Sequence, residues 1–383
     1  MDFGFSKDQK MIQKSVKDFL DKECPTDKVR ELEEDELGYD PAMWKKMAEL
    51  GWMGIAFPEE YEGTEGDITD LMIMMEEMGR VLLPSPFFST VALCSLPLLE
   101  YGSSEQKKNF LPNIASGSEI WSLALTEQSA KYDTSEIGLG ATLEGNEYIL
   151  TGSKLFIQYA NVANYLLVVA RTGGKGEGED GITLFIVDKK SPGIGIEIMP
   201  TTAHDKQCEV TFDRVKVPKS NVLGEVGKGG DIVNFILQRG AILKSAEMLG
   251  GAQAALDITV EYAKQRIQFK RPIGSFQAIQ HKLADMATGV EGLRYLVYAA
   301  TWELSIGSPS NLKISMVKAK ANEVYQRIGI DSIKIHGAIG FTKEQDIGLY
   351  YIRTKASQFA MGDSGFHRER MATELESYQP PKL

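Results

Sequence analysis

The sequence predicts an α+β fold laid out as three consecutive blocks, and three observations carry that reading. Apolar residues recur at helical spacing through the first ~120 residues. From about 120 to 223 they come instead in short β-branched runs bounded by Gly, Asn and Asp. After that, long helical periodicity returns and persists to about residue 376. Ser6 is placed to cap a first helix carrying Met11, Ile12, Val16, Phe19 and Leu20. Pro41 opens a second, with Met43, Trp44, Met47, Ala48 and Leu50. Leu71 to Val81 predicts a third, whose Met72, Met74, Met75 and Met78 read as core packing. Pro58 and Gly63 mark a loop between the second and third.

In the middle block, residues 148–151, 165–170 and 182–187 predict strands. Residues 209–217 alternate, with Val210, Phe212, Val215 and Val217 as the apolar set. Regular spacing of short strands suggests a β-barrel or sandwich. Residues 172–181 read as a surface hairpin; they lack the lysine-hydroxyl ending of a phosphate loop, and no helix follows. In the last block two helical patterns, Leu249 to Ala263 and Leu283 to Val297, flank a basic, aromatic segment at 266–277. Its Arg266 and Arg271 suit an anion grip, because a guanidinium clamps phosphate through paired hydrogen bonds.

Composition bounds the function. The 383 residues suffice for two or three domains or one large composite unit. They are 43% hydrophobic and 25% charged, as in ordinary soluble proteins. A net charge of −11 argues against a general nucleic-acid binder but leaves room for a local basic pocket. Cys24, Cys94 and Cys208 are widely spaced, odd in number and without a CxxC pair, so they support neither a zinc nor a disulfide framework, and four scattered histidines give no metal signature. The first eight residues show no signal pattern, and no apolar run approaches the ~20 residues that span a bilayer. A cytoplasmic setting is the expectation.

Several motifs, in order along the whole chain, resemble those of the acyl-CoA dehydrogenase family. They are residues 50–61, with Trp52, Pro58 and Tyr61; Leu125-Thr126-Glu127; Gly152-Ser153-Lys154-Leu155-Phe156-Ile157; Arg266 to Gln277 followed by His281 to Met286; and Ile335-His336-Gly337-Ala338-Ile339-Gly340. The resemblance implies an N-terminal helical domain (1–120), a central β-barrel (121–225) and a C-terminal four-helix bundle (226–383). It implies FAD as cofactor and an acyl-CoA as substrate. It further implies an electron-transfer flavoprotein as acceptor and a dimer-of-dimers assembly.

Carried over position by position, the cofactor contacts would be Leu123, Leu125, Thr126, Phe156, Ile157, Gln158, Arg266, Gln268, Phe269, Phe276, Gln277, Lys334, Ile335, Gly337, Ala338 and Asp363. The 266–277 turn would reach a neighbouring subunit's FAD. Lys131, Tyr132 and Arg239 fall at substrate-side positions.

The chain also departs from the family pattern. Met361 stands at the usual catalytic Glu position, and Leu237-Gln238-Arg239-Gly240-Ala241 leaves the second family location without a carboxylate. Residues 128–133 lack the usual Gly-Ser pair. A methionine takes no proton, and losing a base costs ~10²–10⁴-fold in rate. Three expectations follow: Asp363 serves as base for a bulky, cyclic or dicarboxylic acyl group; a partner subunit of a hetero-oligomer supplies it; or the chain is a flavin scaffold with altered chemistry.

Overall fold

The computed structural model describes residues 4–173 and 181–377. The tip of the hairpin expected at 172–181, and the start of the N-terminal segment screened for a signal, lie outside them. Among the described residues the helices are α1 (Lys7–Glu23), α2 (Thr26–Glu34), α3 (Pro41–Glu49), α4 (Ile68–Arg80), α5 (Leu96–Tyr101), α6 (Ser104–Ala115), α7 (Gly229–Gln265), α8 (Gln277–Ser305), α9 (Asn311–His336), α10 (Ile347–Ser357) and α11 (Ser364–Ser377). The strands of the middle block are β1 (Trp121–Ala124), β2 (Gly140–Glu144), β3 (Glu147–Gln158), β4 (Tyr165–Arg171), β5 (Ile182–Asp188), β6 (Ile194–Met199), β7 (Gln207–Pro218) and β8 (Val222–Leu223). The helix–strand–helix order is the one the hydrophobic periods predict.

The local signals hold. Ser6 forms a full capping box with Gln9, and Pro41 sits at the first turn of α3 behind an Asp40 cap. The α4 methionines are buried, as core packing requires.

Two compact units divide the chain. The first comprises Met1–Arg30, Ile68–Leu83 and Ala241–Leu383. Within it α9 packs against α8, α10 and α11, and α4 packs against α1 and α8. Helices α4 and α7 cross closely at glycines: a Cβ on Gly250 would sit 1.8 Å from the Glu76 carbonyl oxygen, and one on Gly79 1.8 Å from that of Glu247. Only glycine permits that approach.

The second unit comprises Glu31–Asp67 and Pro84–Gly240, and holds the whole β block. Its ladder runs β6-β7-β3-β2-β4-β5-β8, with β1 joined in parallel to β4. By hydrogen bonding the sheet has ends at β6 and β8. Trp121, Phe110 and Tyr165 pack their rings with centroids 5.0–5.2 Å apart beneath β1 and β4.

One expectation needs correction. The alternation at 209–217 is broken by a bulge: Leu150 pairs with Val215 and Gly152 with Phe212, so two β7 residues oppose one of β3. Arg214 takes the left-handed conformation there (φ +51°). The extra residue is what keeps Val210, Phe212, Val215 and Val217 all buried, although Phe212 and Val215 are three apart.

Candidate active site

In the β unit the sequence-predicted residues cluster around a second bulge. Lys154 pairs with Val210 and Ile157 with Cys208, so Leu155 and Phe156 together oppose one β7 residue. Phe156 adopts φ +62° and is 41% exposed, an unusual presentation for an aromatic on a central strand. Its neighbour Ile157 is buried. The bulge turns the ring outward, as bulges beside functional sites do.

The loop after β1 is bonded to this bulge. Thr126 Oγ1 donates to the Leu155 carbonyl at 2.5 Å, and Leu155 N–H returns a bond to the Thr126 carbonyl at 2.9 Å. With its proton committed, the Thr126 hydroxyl is left as an acceptor. Lys154 Nζ donates to the Leu125 carbonyl at 3.0 Å and to Glu127 Oε1 at 2.7 Å. Glu127 in turn accepts from the N–H groups of Gly138 and Leu139. Lys154 is fully buried, and burial pushes its ammonium down to about 8 despite Glu127. Leu123 and Leu125 are buried, and the Gln158 backbone carbonyl accepts from the Ser122 hydroxyl. Sequence reasoning missed Lys154 as a participant. The signal was available: a lysine between small residues and an apolar pair within a motif the resemblance places on a strand.

The substrate-side residues lie in the same unit. Lys131 is exposed and paired with Glu136 at 2.7 Å. Tyr132 is half-buried. Arg239 stacks its guanidinium 3.4 Å above the Phe235 ring, which also meets Tyr101 edge-on. Burial pushes Arg239 down to about 10, with Glu100 opposing, so it stays cationic at neutral pH.

In the helical unit the 266–277 segment is a tight hairpin between α7 and α8. Its strands β9 (Ile267–Gln268) and β10 (Arg271–Pro272) are joined by Phe269 and Lys270, both left-handed at φ +52° and +64°. Two positive φ values define the mirror-image turn that suits a two-residue hairpin. Phe269 is 86% exposed, Arg271 lies 4.1 Å over Phe276, and Arg266 and Gln277 face solvent. A cavity of about 650 Å³ opens beside Arg266, with Asp257, Glu261, Tyr262 and His336 in its lining. His336 is buried and gives Nδ1–H to the Ser332 carbonyl, while its Nε2 has no partner among the described residues. Lys334 is exposed, Ile335 buried, and Gly337 ends α9 at φ +69° with nothing within 4 Å of its would-be Cβ. Ala338 lies in the short 3₁₀ turn that follows.

The Met361 turn is in the same unit. Met361 (φ +59°) and Gly362 (φ +99°) are both left-handed. Lys318 Nζ reaches the carbonyls of Gly362 at 3.2 Å and Ser357 at 3.3 Å, and Asn322 Oδ1 at 2.5 Å. His367 Nε2–H donates to the Met361 carbonyl at 2.8 Å. Burial pushes Lys318 down to about 7 and His367 to about 4. Met361 itself is buried. Asp363 is exposed, and its Oδ1 accepts from Phe366 N–H at 2.8 Å, capping α11. In the 237–241 stretch, the second family location, Gln238 is buried and Gly240 has no side chain to act as a base.

Three family models account for most of the chain: the acyl-CoA dehydrogenase N-terminal domain at residues 6–118, its middle domain at 122–215 and its C-terminal domain at 227–376. The chain belongs to the acyl-CoA dehydrogenase family. A probable acyl-CoA dehydrogenase, YngJ, of Bacillus subtilis is 36% identical over 98% of this chain and 100% of its own. A caffeyl-CoA reductase-Etf complex subunit of Acetobacterium woodii is 35% identical over 91% of this chain and 92% of its own. The solved butyryl-CoA dehydrogenase of Megasphaera elsdenii superposes with a TM-score of 0.92 at 31% identity, over 98% of this chain and 100% of that one. Family membership makes the protein an oxidoreductase acting on acyl-CoA and settles the three-part architecture.

The family implies FAD, and the residues present fit it. In the β unit, an outward Phe156 with a Thr126 oxygen beside it suits a flavin ring; in the helical unit, the uncovered Gly337 backbone and the exposed cations Arg266 and Lys334 suit a diphosphate. No helix among the described residues is long and apolar enough to cross a membrane.

Proposed function

We propose that the chain carries out FAD-dependent α,β-dehydrogenation of an acyl-CoA thioester with a bulky, cyclic or dicarboxylic acyl group. We further propose that it works in the cytoplasm and passes the electrons to an electron-transfer flavoprotein. The observation that carries the reading is the outward Phe156 bulge bonded to the Thr126 loop. Bound FAD would supply the hydride acceptor. Leu123, Leu125, Thr126, Phe156, Ile157 and Gln158 would hold its ring system. Arg266, Gln268, Phe269, Phe276, Gln277, Lys334, Ile335, Gly337 and Ala338 would hold the diphosphate and adenosine half. The 266–277 members of that group would act across subunits in a dimer of dimers. Lys131, Tyr132 and Arg239 would face the CoA thioester. The name of the Acetobacterium relative, a subunit of an Etf complex, supports the electron acceptor.

The proton acceptor we assign is Asp363, the carboxylate nearest in sequence to the family's base position. A second reading, in which a partner subunit of a hetero-oligomer supplies the base, is favoured by one observation: Asp363 already spends Oδ1 on capping α11. One experiment separates the two. The purified chain is mixed anaerobically with straight, cyclic and dicarboxylic acyl-CoAs while flavin bleaching is followed. Asp363→Asn keeps a cap oxygen but removes the base, so bleaching slows about a hundredfold or more if Asp363 is the acceptor. Unchanged bleaching rules Asp363 out. Bleaching that requires an added partner subunit establishes the second reading.

A further inference from the structure

Lys154 is an expensive choice for its place. Its side chain is fully buried within the β unit, where an apolar residue would avoid desolvating an ammonium. What an apolar residue cannot do is join three backbone segments. Lys154 Nζ bonds the Leu125 carbonyl and Glu127, and Glu127 holds the N–H groups of Gly138 and Leu139. The same lysine immediately precedes the Leu155–Phe156 bulge, whose backbone is bonded both ways to Thr126. A bulge is one residue from ordinary pairing, and a one-residue slip sends side chains to the opposite face. Something must hold this one open with Phe156 left-handed.

We propose that the Lys154–Glu127 pair is a positioning device. It fixes the Phe156 bulge and the Leu125–Thr126 loop in one register, and so sets FAD affinity and the flavin's surroundings without touching any ligand. The role rests on the FAD reading above. The competing role, a buried ion pair that only stabilises the fold, makes a different prediction, because positioning must be lost even when charge balance is restored.

The test uses the full chain purified with FAD, comparing wild type, Lys154→Met and the double variant Lys154→Met/Glu127→Gln. The readouts are FAD dissociation, the visible flavin bands and the thermal midpoint. The single variant should bind FAD about tenfold more weakly or worse, with shifted bands. The double variant, free of the unpaired carboxylate, should regain thermal stability but not FAD affinity. If the folded single variant binds FAD within about twofold of wild type with unshifted bands, the proposal is wrong. Recovery of affinity together with stability in the double variant also overturns it. Should Lys154→Met not fold, Glu127→Gln alone carries the test, with about threefold weaker FAD binding expected and no change refuting the role. Failure of the wild type to bind FAD at all sinks the functional reading and this role with it.

Discussion

Phe156 in the β unit and Met361 in the helical unit are among the non-glycine residues that stand in the left-handed region at positions the motifs mark as functional, at φ +62° and +59°. Each is held beside a fully buried lysine, Lys154 in one case and Lys318 in the other. The difference is in how the lysine is compensated. Lys154 meets a carboxylate, Glu127, at 2.7 Å. Among the described residues Lys318 bonds only an amide oxygen and two backbone carbonyls, with Lys244 opposing it electrostatically and Asp363 and Glu247 favouring it. Burial accordingly pushes Lys318 further, to about 7, than Lys154, to about 8. The β-unit bulge is thus pinned by a charge pair, and the Met361 turn by hydrogen bonds around a cation that gains little by being charged. Left-handed backbone costs about 1–2 kcal/mol per residue, so both turns depend on such supports.

The sharpest way to break the comparison is Lys154→Met. It leaves Glu127, only 17% exposed at the side chain, without its cation. The loss should be about 3 kcal/mol, read as a fall in the denaturant midpoint at constant slope. A cost as small as that expected for Lys318→Met would erase the distinction between the two lysines.

Lys318→Met should cost less, about 1–2 kcal/mol, because it removes a cation held by carbonyls rather than by a bonded carboxylate, while orphaning the Gly362 and Ser357 carbonyls. Its pH signature is more telling. Both lysines titrate below their ordinary value when folded, so the unfolded chain binds more protons above those values and stability rises with pH. For Lys318 the window opens near 7 and closes near the ordinary 10.5; for Lys154 it opens near 8. Denaturant midpoints followed through this range should rise more shallowly in Lys318→Met, most visibly at its lower end. An unchanged slope would show that Lys318 is charged in the folded protein.

The smallest effect comes from the residue that follows the second turn. Asp363→Ala removes the α11 cap and should cost about 1 kcal/mol. Asp363→Asn should cost a few tenths in the same thermal scan, since an amide oxygen also caps. Equal losses would mean that the Asp363 charge, not its cap, steadies the turn.

The two regions also differ in how far they were legible. Around Thr126 and Phe156 the motifs named the residues expected to face a ligand but passed over Lys154 and Glu127 as supports. Their contact joins residues twenty-seven apart, and no local period announces it. At 209–217 the apolar alternation was visible, yet the extra residue that preserves it was not. A bulge is settled by pairing with β3, not by β7 alone. Around Met361 the missing carboxylate was plain from the residue type, whereas Lys318 looked like any lysine on a long amphipathic helix. Its burial depends on α10, α11 and the turn closing over α9.

By itself the sequence determined the helix–strand–helix order, the capped starts of α1 and α3, the absence of a usual base, and the family. All of these are written in local periods, single residue types or short ordered motifs. Tertiary structure alone decided which way Phe156 faces, that Phe269 and Lys270 share a mirror-image turn, that Asp363 caps α11, and that one buried lysine bonds a carboxylate directly while the other bonds carbonyls. Those outcomes depend on distant segments supplying hydrogen-bond partners and excluding water, which a one-dimensional pattern does not encode.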